Sequence, residues 1–524
     1  MSPLASRIVE MPSRLISNHE FQEGKFQYLA GALMALMVAS YIFQALYNIF
    51  LHPLARIPGP WVAKVSANYL VPASAGLHRA QSLRELHNQY GPVVRVGPNE
   101  ISVSDWRAYR EIYSHKASSK TDFFYRDTSL TGHDNIFTML NKDAHSGRRK
   151  LQNQSYSQQA VFDNEALIVD KAKILVRRLS QTGKEPILEK PVNAFALNGL
   201  FSLEVILACA FNRHHGDVPS HDAATLLEAM DSTAVAIRTA AALPFLSRAV
   251  GRMLPGPIGR SFKQWDLWQD VTQNLLKEFQ QHELPLDKTQ KFMATPMLVN
   301  EDPYLGRRLT QLELVEELMG ITFAGSGTTS STLTYLLYAM SKDMGRQERL
   351  RQELRTVAGT SLNEVKNLPY LNAVLKETFR LYPTIMSTLP RILDRPVNIG
   401  DHVLPPGTLV GMQNYVHHRD AELFHRPDEF LPERWLEENG NALRIRDMES
   451  ALTPFSLGPR NCIGQNLAKA ELYLAVSNIF GKLRLQLNAD MTEWDVEVED
   501  PFNIAPKGRR PLLDVWVLEE ERSY

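Results

Sequence analysis

Two stretches of this 524-residue chain run for more than twenty residues without a charged side chain, and where they sit limits every fold the rest can adopt. The first, Phe26 to Leu51, reads FQYLAGALMALMVASYIFQALYNIFL. About 20 apolar residues cross a hydrocarbon core of roughly 30 Å, and within lipid a single segment satisfies its own backbone only as a helix. A membrane anchor over residues 26–51 is expected. A cleaved signal peptide would carry a shorter apolar core behind a basic lead, whereas Arg7, Glu10, Arg14, Glu20, Glu23 and Lys25 make the leader, residues 1–25, neutral. Lys and Arg are sparse on both flanks, so charge alone does not orient the span. Next comes HPLARIPGPW, where Pro53, Pro58, Gly59 and Pro60 form a stiff linker over residues 52–60 that cannot extend the helix. Residues 61–524 then form one large domain.

The second run, Leu318 to Ser341, also passes a length test for a membrane span. Its core, ITFAGSGTTSSTLTYLLYAM, is rich in hydroxyls and holds glycines at 325 and 327, which favours a long buried helix of a soluble domain. Glycines and threonines in mid-helix weaken the backbone ladder and permit local opening beside a ligand. A phosphate-binding loop is the competing reading of GSGTTS, but its lysine is missing and no strand pattern precedes it.

With 44% apolar residues and a formal charge of -1, the chain can bury an extensive core and shows no basic excess for a nucleic-acid partner. It has only two cysteines. Cys209 sits in the apolar run VILACAF, where a buried small thiol is the common outcome. Cys462 sits in FSLGPRNCIG, with no cysteine or histidine near enough in sequence to complete a zinc site. A lone thiolate among glycines serves either as a nucleophile or as the axial ligand of a metal already held by other ligands, as in haem. So few cysteines also suit a reducing compartment.

A third element, LNAVLKETFRLYP, keeps helical spacing and puts Glu377 and Arg380 three apart on one face. Downstream, FLPERW at Phe430 to Trp435 offers Arg434 as a third member of a buried charge network.

FSLGPRNCIG, KETFR at Lys376 to Arg380, FLPERW, and AGSGTT at Ala324 to Thr329 occur in the order and approximate spacing of the cytochrome P450 family. The resemblance extends from about Pro58 to the C-terminus, and the anchor followed by YNIFLHPLARIPGPW resembles microsomal members from filamentous fungi. It implies a mainly α fold with a minor β portion behind a single N-terminal transmembrane helix, and haem-thiolate monooxygenase activity. The implied cofactor is haem b, with Cys462 as the iron ligand. Gly458 and Gly464 would allow the tight loop whose N–H groups point at sulfur. Phe455 is expected to pack on the haem side of that loop, and Arg460 to pair with a propionate. By the same resemblance, His145 and Arg149 of DAHSGRRK and Arg391 of LPRIL are further propionate donors, whereas Glu377, Arg380 and Arg434 are structural.

One departure stands out. The family's distal helix usually carries Asp or Glu before the threonine that assists oxygen activation, and this chain has Gly327 before Thr328. Thr328 is the catalytic candidate, with Ser326, water or a substrate hydroxyl as substitutes for the missing acid, and an acid restored at 327 is expected to improve proton delivery. The gap also keeps a redox-neutral haem-thiolate isomerase or dehydratase in view, and beyond it a non-catalytic membrane haem-binding protein.

No flavin or nicotinamide fingerprint occurs, so a separate NADPH-cytochrome P450 reductase is implied as electron donor. The distal helix, Pro383 to Pro390 and Phe502 to Pro506 are expected pocket walls, suited to a lipophilic small molecule of secondary metabolism. The expected location is the endoplasmic reticulum membrane, single-pass, with the catalytic domain on the cytosolic side.

Overall fold

The computed structural model describes residues 11–113, 117–181, 191–213, 220–243, 246–282, 292–357, 361–436 and 442–518. The first helix, α1 (Met11–Leu46), begins inside the expected leader, runs through most of the apolar stretch and tightens into a π-turn at Tyr47–Leu51. Leu29–Leu51 is long and apolar enough to cross a membrane, and none of its 18-residue window is buried in the protein. Leu33, Met34, Leu36, Met37 and Val38 are all exposed, so apolar side chains face every direction, the pattern of a helix surrounded by lipid. Its end is clasped to the domain. Asn48 is buried, its carbonyl accepts a 2.7 Å hydrogen bond from Arg95 of β1 (Val93–Gly97), and Pro58 O accepts from the Arg95 backbone N–H at 2.7 Å. Gly59, at φ +155°, lies so near that a β-carbon there would come within 2.3 Å of Arg95 O.

The domain is helical around one large hydrophobic core. Its main helices are α2 (Lys142–Gln152), α3 (Ala194–Phe211), α4 (Ser220–Ala242), α5 (Gly256–His282), α6 (Gln311–Ser341), α7 (Pro369–Leu381) and α8 (Gln465–Lys482). The Leu318–Ser341 run lies within α6, which is buried along most of its length and packs on α3, α5, α7 and α8. α6 starts at a capping box: Glu313 N–H donates to Thr310 Oγ1 at 3.4 Å and Thr310 N–H to the Glu313 carboxylate at 2.7 Å. The helix does not open at its glycines. The helix is unbroken from Gln311 to Ser341, although the hydroxyls of Thr322, Ser326, Thr328 and Thr332 each donate to the carbonyl four residues back, at 2.7 to 3.0 Å.

A five-stranded sheet adds β2 (Glu100–Val103), β3 (Ser118–Lys120), β4 (Arg391–Leu393) and β5 (Leu409–Met412) to β1, in the order β1-β2-β5-β4-β3. The β2–β5 pair is parallel and the others antiparallel, and the register sets Lys120 opposite Arg391.

The charge network anticipated from spacing forms fully. Glu377 and Arg380 are fully buried on α7; Arg380 donates to both Glu377 oxygens at 2.8 and 2.9 Å, and Arg434 Nε adds a bond at 3.1 Å. Trp435 Nε1 and the Leu431 N–H complete the carboxylate's shell, while Arg380 also donates to the carbonyls of His418, Pro427 and Glu429. Burial pushes the Glu377 carboxyl up, but hydrogen bonds and charge from Arg380 and Arg434 outweigh it and the net shift is downward. A depressed carboxyl contributes stability above its unfolded value of about 4.3 that is lost as pH falls through the folded value. Glu377→Gln strands two buried guanidinium groups. It should cost about 3 kcal/mol, read as a lower urea midpoint of unfolding at pH 7, with a gap from the parent that narrows below about pH 4.

Candidate active site

The lone Cys462 occupies a loop built to present it. Cys462 N–H donates to Phe455 O at 2.8 Å and Asn461 N–H to Gly458 O at 3.1 Å, closing a turn in which Gly458 takes φ +73°, where a side chain would strain. The loop leads directly into α8 through Gly464, so the positive end of that helix faces the sulfur. The Cys462 side chain is accessible, yet desolvation dominates its thiol pKa and pushes it up. Both hold for a group opening into an interior cleft rather than bulk solvent. A Gly464 N–H bond to sulfur and the charge of Arg149 oppose that rise and favour thiolate. Phe455 packs edge-on against Phe379 of α7 at 5.3 Å. Cys209, the other thiol, is buried in the core on α3, where burial pushes its pKa far up.

Two arginines stitch this loop to α2 in opposite directions. Arg460 donates to the carbonyls of Met139, Leu140 and Asn141 just before α2, at 2.7 to 3.3 Å. Arg149, on α2, donates to Pro459 O at 3.1 Å and Asn461 O at 2.7 Å, and to the Asn461 side chain at 2.6 Å. Its neighbour Arg148 turns the other way, into a buried pair with Asp302 and Glu317. His145 is buried on the same helix.

Beside the loop is a cleft lined by Tyr113, Ser118, Lys120, Arg391 and Arg460. Lys120 and Arg391 are cross-strand partners, and like charges directly opposite destabilise a sheet. Among the described residues neither they nor Arg460 pairs with a carboxylate; Asp394 at the rim is taken by Lys142 at 2.7 Å. Lys120 rests on the rings of Tyr125 and Phe137, at 4.4 and 4.8 Å, and Arg391 donates to the Tyr125 hydroxyl. Burial and the charges of Arg460 and Arg391 push the Lys120 pKa well down; burial and Arg391 push Arg460 down to about 10.

On α6, Thr328 Oγ1 donates to Ala324 O at 2.7 Å, and Thr328 O accepts from Thr332 at 3.0 Å and Thr384 at 3.3 Å. The three expected wall segments do converge here: Ile504 N–H donates to Thr384 O at 2.9 Å and Ser331 to Ile504 O at 2.7 Å. Ser326, expected as a stand-in for the acid, is instead buried and folded back onto Thr322 O. The cluster of Phe124, Phe137, Phe323 and Phe502, with centroids 5.8 to 6.5 Å from Phe502, gives these walls their apolar character.

The cytochrome P450 family model matches residues 58–510. This chain belongs to the cytochrome P450 family. It is 29% identical to the cytochrome P450 monooxygenase hepD of Aspergillus oryzae, across 93% of this chain and 96% of that protein. It is 30% identical to the cytochrome P450 monooxygenase oblB of Emericella variicolor, across 91% and 89%. Of solved structures, the cytochrome P450DA heme domain superposes with a TM-score of 0.73 at 21% identity, covering 88% of this chain and 98% of that one. The retinoic acid-bound cyanobacterial CYP120A1 gives 0.69 at 20%, covering 88% and 99%; both likenesses speak to fold alone.

This P450 is a haem-thiolate monooxygenase. The residues fit the cofactor that membership implies. A single thiol is presented just before a helix N-terminus, and Arg460 of the same loop borders a cleft with Lys120 and Arg391, three basic groups that pair with no carboxylate among the described residues, a donor set matched to an iron and two carboxylates. Lys120, from the short strand β3, and Tyr125 were not anticipated from sequence, since no motif surrounds them. Lys120→Met should raise the unfolding temperature of the haem-free protein by relieving the Lys120–Arg391 repulsion. It should also speed haem transfer to a scavenger apoprotein at least several-fold, measured by the Soret change.

Proposed function

We propose that this P450 is a membrane-anchored enzyme that hydroxylates or otherwise oxidises a lipophilic small molecule, with dioxygen and electrons from NADPH-cytochrome P450 reductase, in fungal secondary metabolism. The observation that carries the substrate class is the aromatic wall of Phe124, Phe137, Phe323 and Phe502 beside Thr328, which recognises shape and apolar surface rather than charge. Relatives named as monooxygenases from Aspergillus and Emericella support the setting, and the apolar Leu29–Leu51 helix, with an 18-residue window that is nowhere buried in the protein, supports an endoplasmic reticulum anchor with the domain in the cytosol.

In this reading Cys462 holds haem iron, while Lys120, Arg391 and Arg460 neutralise the propionates. When bound, haem supplies oxygen activation. The protein supplies the rest: Gly464 N–H and the α8 N-terminus favour thiolate against the effect of burial, and Arg149 fixes the loop that carries it. Phe455 closes the side towards α7. On α6, Thr328 would offer a hydroxyl to move a proton, and the phenylalanines would exclude water from the substrate.

Two measurements test this. Reduced Cys462→Ser should lack the thiolate-type carbon monoxide band that the parent shows, Cys209→Ser should keep it, and product should form only with reductase and NADPH. Turnover without reductase would move the enzyme to the redox-neutral class. Asn153 and Gln154 of the sequon Asn153-Gln154-Ser155 are exposed, and with the domain in the cytosol Asn153 should stay unglycosylated even in a secretory host; endoglycosidase-sensitive mass would place the domain in the lumen.

A further inference from the structure

The chain departs from its family at Gly327, and the structure shows what fills the place. Three consecutive residues of the C-terminal segment lie on three consecutive turns of α6. The Phe502 ring stacks on Phe323 at 6.3 Å, the Asn503 carboxamide lies over Gly327, and Ile504 O accepts from Ser331 at 2.7 Å. Positions 323, 327 and 331 are four apart and share one helix face. The approach is close: a β-carbon on Gly327 would sit 2.7 Å from Asn503 Nδ2. Any side chain at 327, an acid included, would displace that carboxamide.

The segment holds this position at a cost. Phe502 takes φ +117°, a backbone conformation that non-glycine residues rarely adopt, and the Ile504 N–H bond to Thr384 O pins the other flank. Asn503 Oδ1 is buried and has no hydrogen-bond partner among the described residues, an unfavourable state for an amide oxygen unless a donor reaches it. Strain and an unsatisfied acceptor against Gly327, the residue before Thr328, are poorly explained by packing alone, which an apolar side chain at 503 would serve better.

We infer that Asn503 is a positioning residue of the distal site: its Oδ1 accepts a hydrogen bond from a water that delivers protons to the Thr328 hydroxyl, replacing from the C-terminal segment the acid absent at 327. The water gives one proton to Thr328 Oγ1 as that hydroxyl gives up its own towards the dioxygen being reduced, and is reprotonated from solvent. Electrons come from NADPH through the reductase. The carboxamide changes neither charge nor redox state. The inference rests on the oxygen-activating reading above.

The test needs no identified substrate. With holoenzyme, reductase, NADPH and dioxygen alone, the share of consumed oxygen recovered as hydrogen peroxide rather than water reports proton delivery. Asn503→Leu should raise that share at least twofold and change its solvent deuterium isotope effect. Gly327→Asp alone should be as leaky, because its carboxylate collides with Asn503. Combined with Asn503→Ala, Gly327→Asp should return the share to within about a third of the parent's, a rescue that a merely structural role would not give. A second arm is independent of haem chemistry: in thermal unfolding Gly327→Ala should lower the midpoint beside Asn503 and raise it in the Asn503→Ala background, where the methyl fits and glycine's helix penalty is removed. An unchanged peroxide share in Asn503→Leu would overturn the inference, and is the result expected if a substrate hydroxyl were the donor. A swap as leaky as the single variants, or a midpoint raised by Gly327→Ala in both backgrounds, would overturn it too. Failure of the parent to oxidise NADPH with reductase would remove the oxygen-activating reading, and the inference with it.

Discussion

The structure turns on presenting one sulfur inside protein while opposing the cost of its charge. Burial alone would protonate Cys462, and the fold opposes this with charge-bearing geometry rather than with a nearby base: a helix N-terminus, a glycine N–H, and an arginine held at the loop by three of its own hydrogen bonds. The reciprocal stitching by Arg149 and Arg460 makes α2 and the cysteine loop one unit. A shift of either would disturb both the ligand and the cationic cleft. The Glu377 network lies outside this unit, joining α7 to residues 418–435, which follow β5.

The cleft shows the opposite strategy. Lys120 and Arg391 face each other across two strands with no acid between them, an arrangement that disfavours the empty protein and favours a dianion. On the proposed reading, the fold would store part of its cofactor affinity as repulsion that binding relieves.

Much of this was legible in the sequence where one local motif carries the chemistry. FSLGPRNCIG spells out its own turn, and Glu377 and Arg380 are three apart on one helix, so helical geometry alone brings them together. Arg148 and Arg149 mark the limit of such reasoning: adjacent helical residues diverge by about 100°, and spacing does not say which one faces the core. The structure buries Arg148 against Asp302 and gives Arg149 to the cysteine loop. Lys120 and Asn503 were illegible for a further reason. Lys120 ends a three-residue strand and Asn503 sits in an irregular stretch, and each meets its partners through tertiary contacts, across 271 and 176 residues of chain as the numbers 391 and 327 show. Gly327 reads as a loss in sequence and as room for a neighbour in space.

The clasp between Arg95 and Asn48 gives the anchor a second meaning. A span joined to its domain by a free linker would act as a leash, letting the domain tumble above the bilayer. Here the last turn of the span is hydrogen-bonded to the first strand, and Pro58 and Gly59 lie flat against that strand. The domain is mounted on its anchor like a lamp on a bracket. If this helix spans a bilayer, as proposed, its tilt in the lipid becomes the domain's tilt above it, and membrane thickness, by tilting the helix, would reorient the whole domain.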